Sequence, residues 1–419
     1  MNSLPGGATP DTASASTAVP ARQRSLRDRN LALLMALIVE AETPLSRAAL
    51  AARTGLTRAT ASSLADSLLT LGLIEEVGPP PAAGAGRPAT GLVPAAVGPA
   101  GLGLEVNVDY LEACVLDLAG TIRRRELVRA VPGDRSPAEV FSALAALAER
   151  VGKDCMRDGL ELAGVSVAVP GLVDPATGTI LRAPNLGWLE VDTRDLLARR
   201  LPATPLSLRV GNEADFAAEG ELHLDTGREL ADFLYLSGEI GIGAGIVLGR
   251  RVFAGPRGWS GEIGHATVRP GGERCRCGSH GCLETVAGQE AILRAAGGKP
   301  AGDEAGAGIA SLVERAEAGD AEVLAVLTEV GAALGNTLAT AINLLDLGTV
   351  VLGGIYAPLA KWLRPALELE LAGHVISAAW APLVVRASCA GTGAAALGAA
   401  ASVISRIHAD PAGWAALRR

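Results

Sequence analysis

Aromatic side chains are scarce, with five Trp, three Tyr and four Phe among 419 residues. Packing therefore falls to Ala, Gly and Leu, in a chain whose 49% apolar and 20% charged content supplies ample material for a core. Lysine is nearly missing: Lys153, Lys299 and Lys361 stand against 34 Arg (37 basic residues less three), a skew that reads as genome composition rather than function. No uninterrupted apolar run reaches the roughly 18 residues that mark a membrane-spanning helix. The run Leu31–Val39 is short and flanked by polar residues. A charged start followed by an apolar core and a cleavage site is also lacking, so a cytoplasmic location and no membrane partner are expected. The net charge of −8 excludes a protein that coats nucleic acid along its whole surface. The first 92 residues depart from that average, with eight Arg against seven acidic residues, so about +1 there leaves −9 for the rest. Any DNA-reading part is expected at the N-terminus.

A length of 419 residues predicts two or three folding units. Residues 1–24 are Ala, Ser, Thr, Pro and Gly with almost no large apolar side chain and are expected to be disordered. A helix begins at Arg27, with Leu33, Leu34, Leu37 and Ile38 on one face, and breaks at Thr43 and Pro44. Ser46 is a candidate N-cap for a second helix through Ala52, Gly55 supplies a turn, and Thr57 caps a third helix ended by Gly72. A strand over Leu73–Val77, a Pro/Gly/Ala loop and a second strand ending near Val93 complete the order of a winged helix-turn-helix over 25–94. In such a unit the third helix enters the major groove with its N-terminal residues at base edges. Here these are Thr57, Arg58, Thr60, Ser62 and Ser63, with Arg87 on the wing, and the expected partner is double-stranded operator DNA.

From 100 to 419 the pattern changes to alternating strands and helices, which predicts an α/β fold with a mixed sheet in each of two lobes. No long internal repeat is evident. Cys114, Cys155 and Cys389 are isolated in apolar surroundings and read as buried thiols. Cys275, Cys277 and Cys282 instead fall within eight residues among glycines, which is the spacing of metal ligation. A closed tetrahedral zinc site needs a fourth ligand. His265 or His280 could supply it, and His265 is preferred because His280 lies inside the tight loop.

Gly261-Glu262-Ile263-Gly264-His265, followed by Cys275-Arg-Cys277-Gly-Ser-His-Gly-Cys282-Leu-Glu284, resembles the ROK family of bacterial repressors, open reading frames and sugar kinases. The resemblance runs from about Arg27 to the C-terminal helix. It implies a two-lobed actin-like (ribonuclease H-like) sugar-kinase-type fold behind the winged helix-turn-helix. It further implies structural zinc on His265, Cys275, Cys277 and Cys282, with Glu262, His265 and Glu284 lining a sugar site. Val169-Pro170-Gly171-Leu172-Val173-Asp174, continuing to Pro184-Asn185-Leu186-Gly187-Trp188, is similar to the family segment in which Gly171 and Asn185 would sit against sugar hydroxyls. Gly211-Asn212-Glu213-Ala214-Asp215 matches where the kinases carry Asn-Asp, the Asp acting as general base. The extra methylene of Glu213 would displace a carboxylate by about an ångström, on the order of a hundredfold in rate.

The phosphate end departs from the kinases. Their Asp-x-Gly-Gly-Thr-Lys aligns with Glu105, Val106, Asn107, Val108, Asp109 and Tyr110. Phosphate loops need glycine so that backbone N–H groups can approach the oxygens. A like charge about 4 Å away costs roughly 4 kcal/mol at an effective dielectric of about 20. The second phosphate loop reads Ser237-Gly238-Glu239 where the kinases have Gly-Thr-Gly, adding another carboxylate. The expectation is therefore a sugar-responsive DNA-binding regulator, a homodimer or homotetramer without catalysis. An ATP-dependent sugar kinase with an accessory DNA-binding head is the second reading. A zinc protein whose helix-turn-helix makes only protein contacts is the third.

Overall fold

The computed structural model describes residues 23–78, 90–129, 135–197, 200–225, 227–297 and 305–418. The tail expected over 1–24 lies outside them up to Arg22, and the loop carrying Arg87 lies outside them as well.

The head contains α1 (Gln23–Val39), α2 (Arg47–Thr54), α3 (Arg58–Thr70), β1 (Ile74–Val77) and β2 (Gly91–Pro94). Ser46 Oγ accepts from Ala49 N at 3.1 Å and starts α2. Gly55, at φ +71°, turns the chain into Thr57, whose hydroxyl accepts from Thr60 N at 3.2 Å and starts α3. β1 and β2 pair antiparallel, and Leu45 adds a bridge to Leu92. The buried face of α1 is Leu31, Leu34, Met35 and Ile38, whereas Leu33 is 44% exposed. Of the expected face, Leu34 and Ile38 are buried and Leu37 packs partly buried on the same core, while Leu33 alone turns outward because Leu31 and Met35 complete the i, i+3, i+4, i+7 stripe.

The body carries two five-stranded sheets. The first contains β3 (Gly98–Val106), β4 (Tyr110–Asp117), β5 (Ile122–Arg129), β6 (Leu160–Val169) and β10 (Arg209–Asn212), in the order β10-β6-β3-β4-β5. The second contains β11 (Phe233–Gly238), β12 (Ile242–Leu248), β13 (Arg251–Val252), β14 (Thr349–Leu352) and β15 (Val384–Ala387), in the order β13-β12-β11-β14-β15. In both, one strand pairs antiparallel with the next in sequence and parallel with a later strand on its other side. The lobes therefore share a plan that the sequence does not display as a repeat. A small antiparallel meander, β7 (Leu172–Val173), β8 (Thr179–Ala183) and β9 (Trp188–Asp192), hangs from the first lobe.

Helix α4 (Pro137–Arg157) covers the first sheet and starts at a capping box formed by Ser136 and Glu139. Short α5 (Thr193–Leu197) follows β9. α6 (Glu213–Leu224) leads toward the second lobe, where α7 (Glu284–Ala287), α8 (Gln289–Ala295), α9 (Ala305–Glu317), α10 (Ala321–Leu345) and α11 (Tyr356–His374) pack around the second sheet. α10 is long and apolar enough to cross a membrane by length and composition, yet half of its most apolar window is buried in this lobe.

The chain then returns to the first lobe through α12 (Ala394–Ala409) and α13 (Pro411–Leu417). α12 lies against both α6 and β3. Gly398 makes that crossing possible, since a Cβ there would stand 1.7 Å from Phe216 O. Farther along α12, Ile404 and Ile407 share one buried cluster with Leu31, Leu34 and Ile38 of α1 and with Trp414 of α13. Head and first lobe are thus packed through a common core. Arg228 and Glu40 add an ion pair across the same junction at 3.0 Å.

Candidate functional site

On the head, Thr57, Arg58, Thr60 and Ser63 are exposed and Ser62 is half-buried, all at the N-terminal end of α3. The Thr57 hydroxyl is already engaged as the cap and lies 2.9 Å from Thr60 Oγ1. Arg47 is tied down by Asp66 at 2.9 Å and Glu76 at 2.6 Å. Arg53, exposed in the last turn of α2 beside this face, was not among the expected contacts.

In the body, Glu262, the 3-10 turn Ile263–His265 and the loop 275–282 come together beside the second sheet. The ligand atoms of His265, Cys275, Cys277 and Cys282 all lie within 4.8 Å of one another. Cys275 Sγ is 3.8 Å from His265 Nδ1, and Cys277 Sγ is 3.7 Å from Cys282 Sγ. Tetrahedral zinc–thiolate geometry places sulfur atoms about 3.8 Å apart, so this donor set fits such an ion in spacing and in chemistry. His280 faces Arg274 across a bridge instead. The other imidazole nitrogen, His265 Nε2, points to Glu262 Oε2 at 3.8 Å. A metal on Nδ1 would fix the ring and leave the proton on Nε2, facing the cleft side of Glu262.

The remaining expected sugar-site residues converge from both lobes. A Cβ at Gly241 would lie 2.4 Å from Asn185 Nδ2 and 2.8 Å from Glu284 Oε2, so these two groups meet at that backbone. Gly171 sits at φ +102° beside the meander, and its carbonyl accepts from Asn212 Nδ2 at 3.0 Å. Asn212 Oδ1 caps α6 by accepting from Ala214 N at 2.8 Å and Asp215 N at 3.4 Å. Its carbonyl oxygen is thus spent on structure, leaving one amide N–H for any ligand. That cap places Glu213 as the first residue of α6, between the two lobes. Burial pushes the Glu213 carboxyl up to about 8, with Glu105, Glu262 and Glu284 adding to the shift.

Beyond Glu213 lies a small polar chamber lined by Glu105, Asn107, Tyr110, Ser237, Glu239 and the start of α12 at Ala394 and Ala395. Glu105 is 3% exposed. Its Oε1 accepts from Tyr110 Oη at 2.7 Å and Asn107 Nδ2 at 3.4 Å, and its Oε2 accepts from Ala396 N at 3.0 Å. Asn107 Oδ1 in turn accepts from Val108 N at 2.6 Å, and Asn107 N bonds Tyr110 O, so β3 and β4 are joined by a tight turn. Where the expected phosphate loop would be open, side chains fill the turn. Burial raises the Glu239 carboxyl well above its usual range, with Glu213, Glu105 and Asp109 adding to it. Glu112, behind Glu105, is pushed up to about 7 by burial and then by Glu105. Arg125 bonds both Glu112 and Thr392 O. Tyr110 and the Glu105–Ala396 contact were not read from the sequence, which only marked this turn as lacking glycine.

Residues 101–406 match the family model described as ROK family, and residues 26–84 match that of the MarR family. The xylose repressor of Bacillus subtilis (strain 168) is 27% identical over 387 residues, covering 92% of this chain and 97% of that protein. The DNA-binding transcriptional dual regulator NagC of Escherichia coli (strain K12) is 30% identical over 337 residues, 79% of this chain and 82% of NagC. The xylose repressor of Caldicellulosiruptor bescii is 31% identical over 268 residues, which span 64% of this chain and 66% of that relative's length. A crystal structure of a ROK family transcriptional regulator, described as a homolog of the E. coli MLC protein, superposes with a TM-score of 0.73 at 25% identity, covering 92% of this chain and 97% of that one. A ROK family glucokinase from Streptomyces griseus, solved with glucose and AMPPNP, gives 0.62 at 26% identity over 72% of this chain and 98% of that one. With the family model spanning both lobes and a winged helix in front of it, this chain is a member of the ROK family.

Proposed function

We propose that this chain is a sugar-responsive, DNA-binding transcriptional repressor whose cleft binds its effector without chemistry. The observation that carries the reading is the path of α12. Its first turn lines the cleft at Ala394 and Ala395, and its later turns pack Ile404 and Ile407 against α1 of the head. A change at the cleft is thereby coupled to the DNA-reading unit through one rigid, buried element.

The head comprises residues 25–94 and the body 100–419. Thr57, Arg58, Thr60, Ser62 and Ser63 read operator DNA in the major groove, and Arg87 on the wing adds a backbone or minor-groove contact. Arg58, exposed at the start of α3, can donate two parallel hydrogen bonds to guanine. The sugar is held by Gly171, Asn185, Asn212, Glu213, Glu262, His265 and Glu284; the Glu carboxyls and the Asn185 amide each suit a pair of vicinal hydroxyls, and Asn212 has one amide N–H left to offer. Zinc on His265, Cys275, Cys277 and Cys282 is structural, pinning the loop and orienting His265 toward Glu262. The protein works in the cytoplasm as a homodimer or homotetramer. Sugar-driven movement of the lobes changes the spacing of two heads and hence the fit to half-sites one helical turn apart.

The reading is tested by a gel-shift with DNA from upstream of its own gene. Arg58→Ala is expected to weaken operator binding about tenfold or more at fixed salt, the worth of a bidentate base contact. Unchanged affinity would mean that α3 does not read the operator. Turnover of any sugar with magnesium-ATP above background would favour the kinase reading, which the glucokinase likeness keeps in view.

A further inference from the structure

Which sugars the cleft admits is decided at its far end, beyond Glu213. Glu105 and Glu239 line that end, and Asp109 adds its charge to the field at Glu239. Arg125, whose charge is felt at Glu105, is engaged by Glu112 and by Thr392 O. Arg276 lies on the opposite side, 3.5 Å from Asn185 Oδ1, and is held by both oxygens of Glu290 at 2.8 and 2.9 Å. Among the described residues at this end, a further feature suited to an anion is the N-terminus of α12, a helix of 16 residues. Its Ala396 amide is already given to Glu105 Oε2, so the chain's own carboxylate occupies the place of a phosphate oxygen.

We infer that the effector is an uncharged, unphosphorylated sugar with its terminal hydroxyl toward Glu213, and that esters bearing phosphate on that hydroxyl are excluded by Glu105 and Glu239. The inference rests on the sugar-site reading of the cleft. A hydroxyl can both donate to and accept from a carboxyl group, so it suits this wall in either protonation state. A phosphate dianion only accepts, and needs cations or several N–H donors at close range. At this end it would meet Glu105, whose carboxylate already holds the Ala396 amide, and the Glu239 carboxyl beside it, so a donor it needs is taken and any ionised oxygen repels it.

The test is isothermal titration of the full chain with matched pairs: D-glucose and D-glucose 6-phosphate, N-acetyl-D-glucosamine and its 6-phosphate, with D-xylose added. The expected result is that at least one neutral sugar binds and its ester binds about a hundredfold more weakly or not at all. An ester that binds as tightly as its parent sugar, or more tightly, would overturn the inference and leave the sugar-site reading standing. Absence of binding by every compound would remove the sugar-site reading itself, and this inference with it. The paired variant Glu105→Gln/Glu239→Gln should narrow the ester-to-sugar gap about tenfold. Glu105→Gln alone, which replaces the carboxylate that holds the Ala396 amide, serves if the pair does not fold. A gap that stays unchanged in a folded variant would assign the exclusion elsewhere and count against the proposal.

Discussion

The two ends of the cleft are built on opposite principles. At the sugar end, Asn185 and Glu284 meet at the bare backbone of Gly241, and His265 is oriented by a cluster of cysteines behind it. At the far end, the turn between β3 and β4 is closed by Asn107 and Tyr110, and the helix end that could take an anion is bonded to Glu105. One end presents donors and acceptors to a ligand, while the other satisfies its own polar groups internally. The proposed division, recognition without phosphoryl transfer, would rest on this difference between one tight turn and one loop.

The largest expected effect comes from the cluster that supports the sugar end. Cys277→Ser should lose about one equivalent of bound zinc by metal analysis and weaken sugar binding about tenfold to a hundredfold, the cost of a disturbed ligand shell. Full metal retention in that variant would detach the sugar end from the cysteine cluster. Next, Glu262→Ala should abolish the sugar response in a gel-shift while operator affinity of the free protein stays within about threefold, since Glu262 is far from the head and additivity holds for distant sites. Loss of both would point to misfolding rather than to ligand recognition.

A smaller effect separates the two ends by pH. Glu213 and Glu112 hold their protons up to about 8 and about 7, above the ordinary 4.5 of a glutamic acid, so the folded protein binds protons that the unfolded chain has released. Stability therefore falls as pH rises from about 5 through about 8. Scanning fluorimetry across that window should show a declining midpoint, and Glu213→Gln should flatten the decline. A midpoint that instead rises through the window would show these carboxyls to be ionised and compensated.

Much of this was legible in the residues. Ser46, Gly55 and Thr57 fixed the head, because caps and left-handed turns are local chemistry. The cysteine spacing brought His265 into consideration, since a closed site demands a fourth donor. On α1 only Leu33 was misplaced, because it satisfies a helical period nearly as well as Leu31 and Met35. What decides between them is the presence of Ile404 and Trp414, some 370 residues away in sequence. The strand β15 and the meander β7–β9 are only two to five residues long, too short for alternation to mark them in the sequence. For Asn212 the residues gave only the expected sugar contact; that two of its contacts cap α6 and a third ties Gly171 is set by helix geometry. The Glu105–Ala396 bond spans 291 residues, beyond anything that local pattern can encode.

The most direct test of the central claim is operator affinity of the full chain, measured by fluorescence anisotropy with and without the sugar found by titration, each with and without magnesium-ATP. The account predicts that the sugar changes operator affinity by about tenfold, identically in both conditions and with no ADP formed. A sugar effect that requires ATP, or no sugar effect at all, would contradict it.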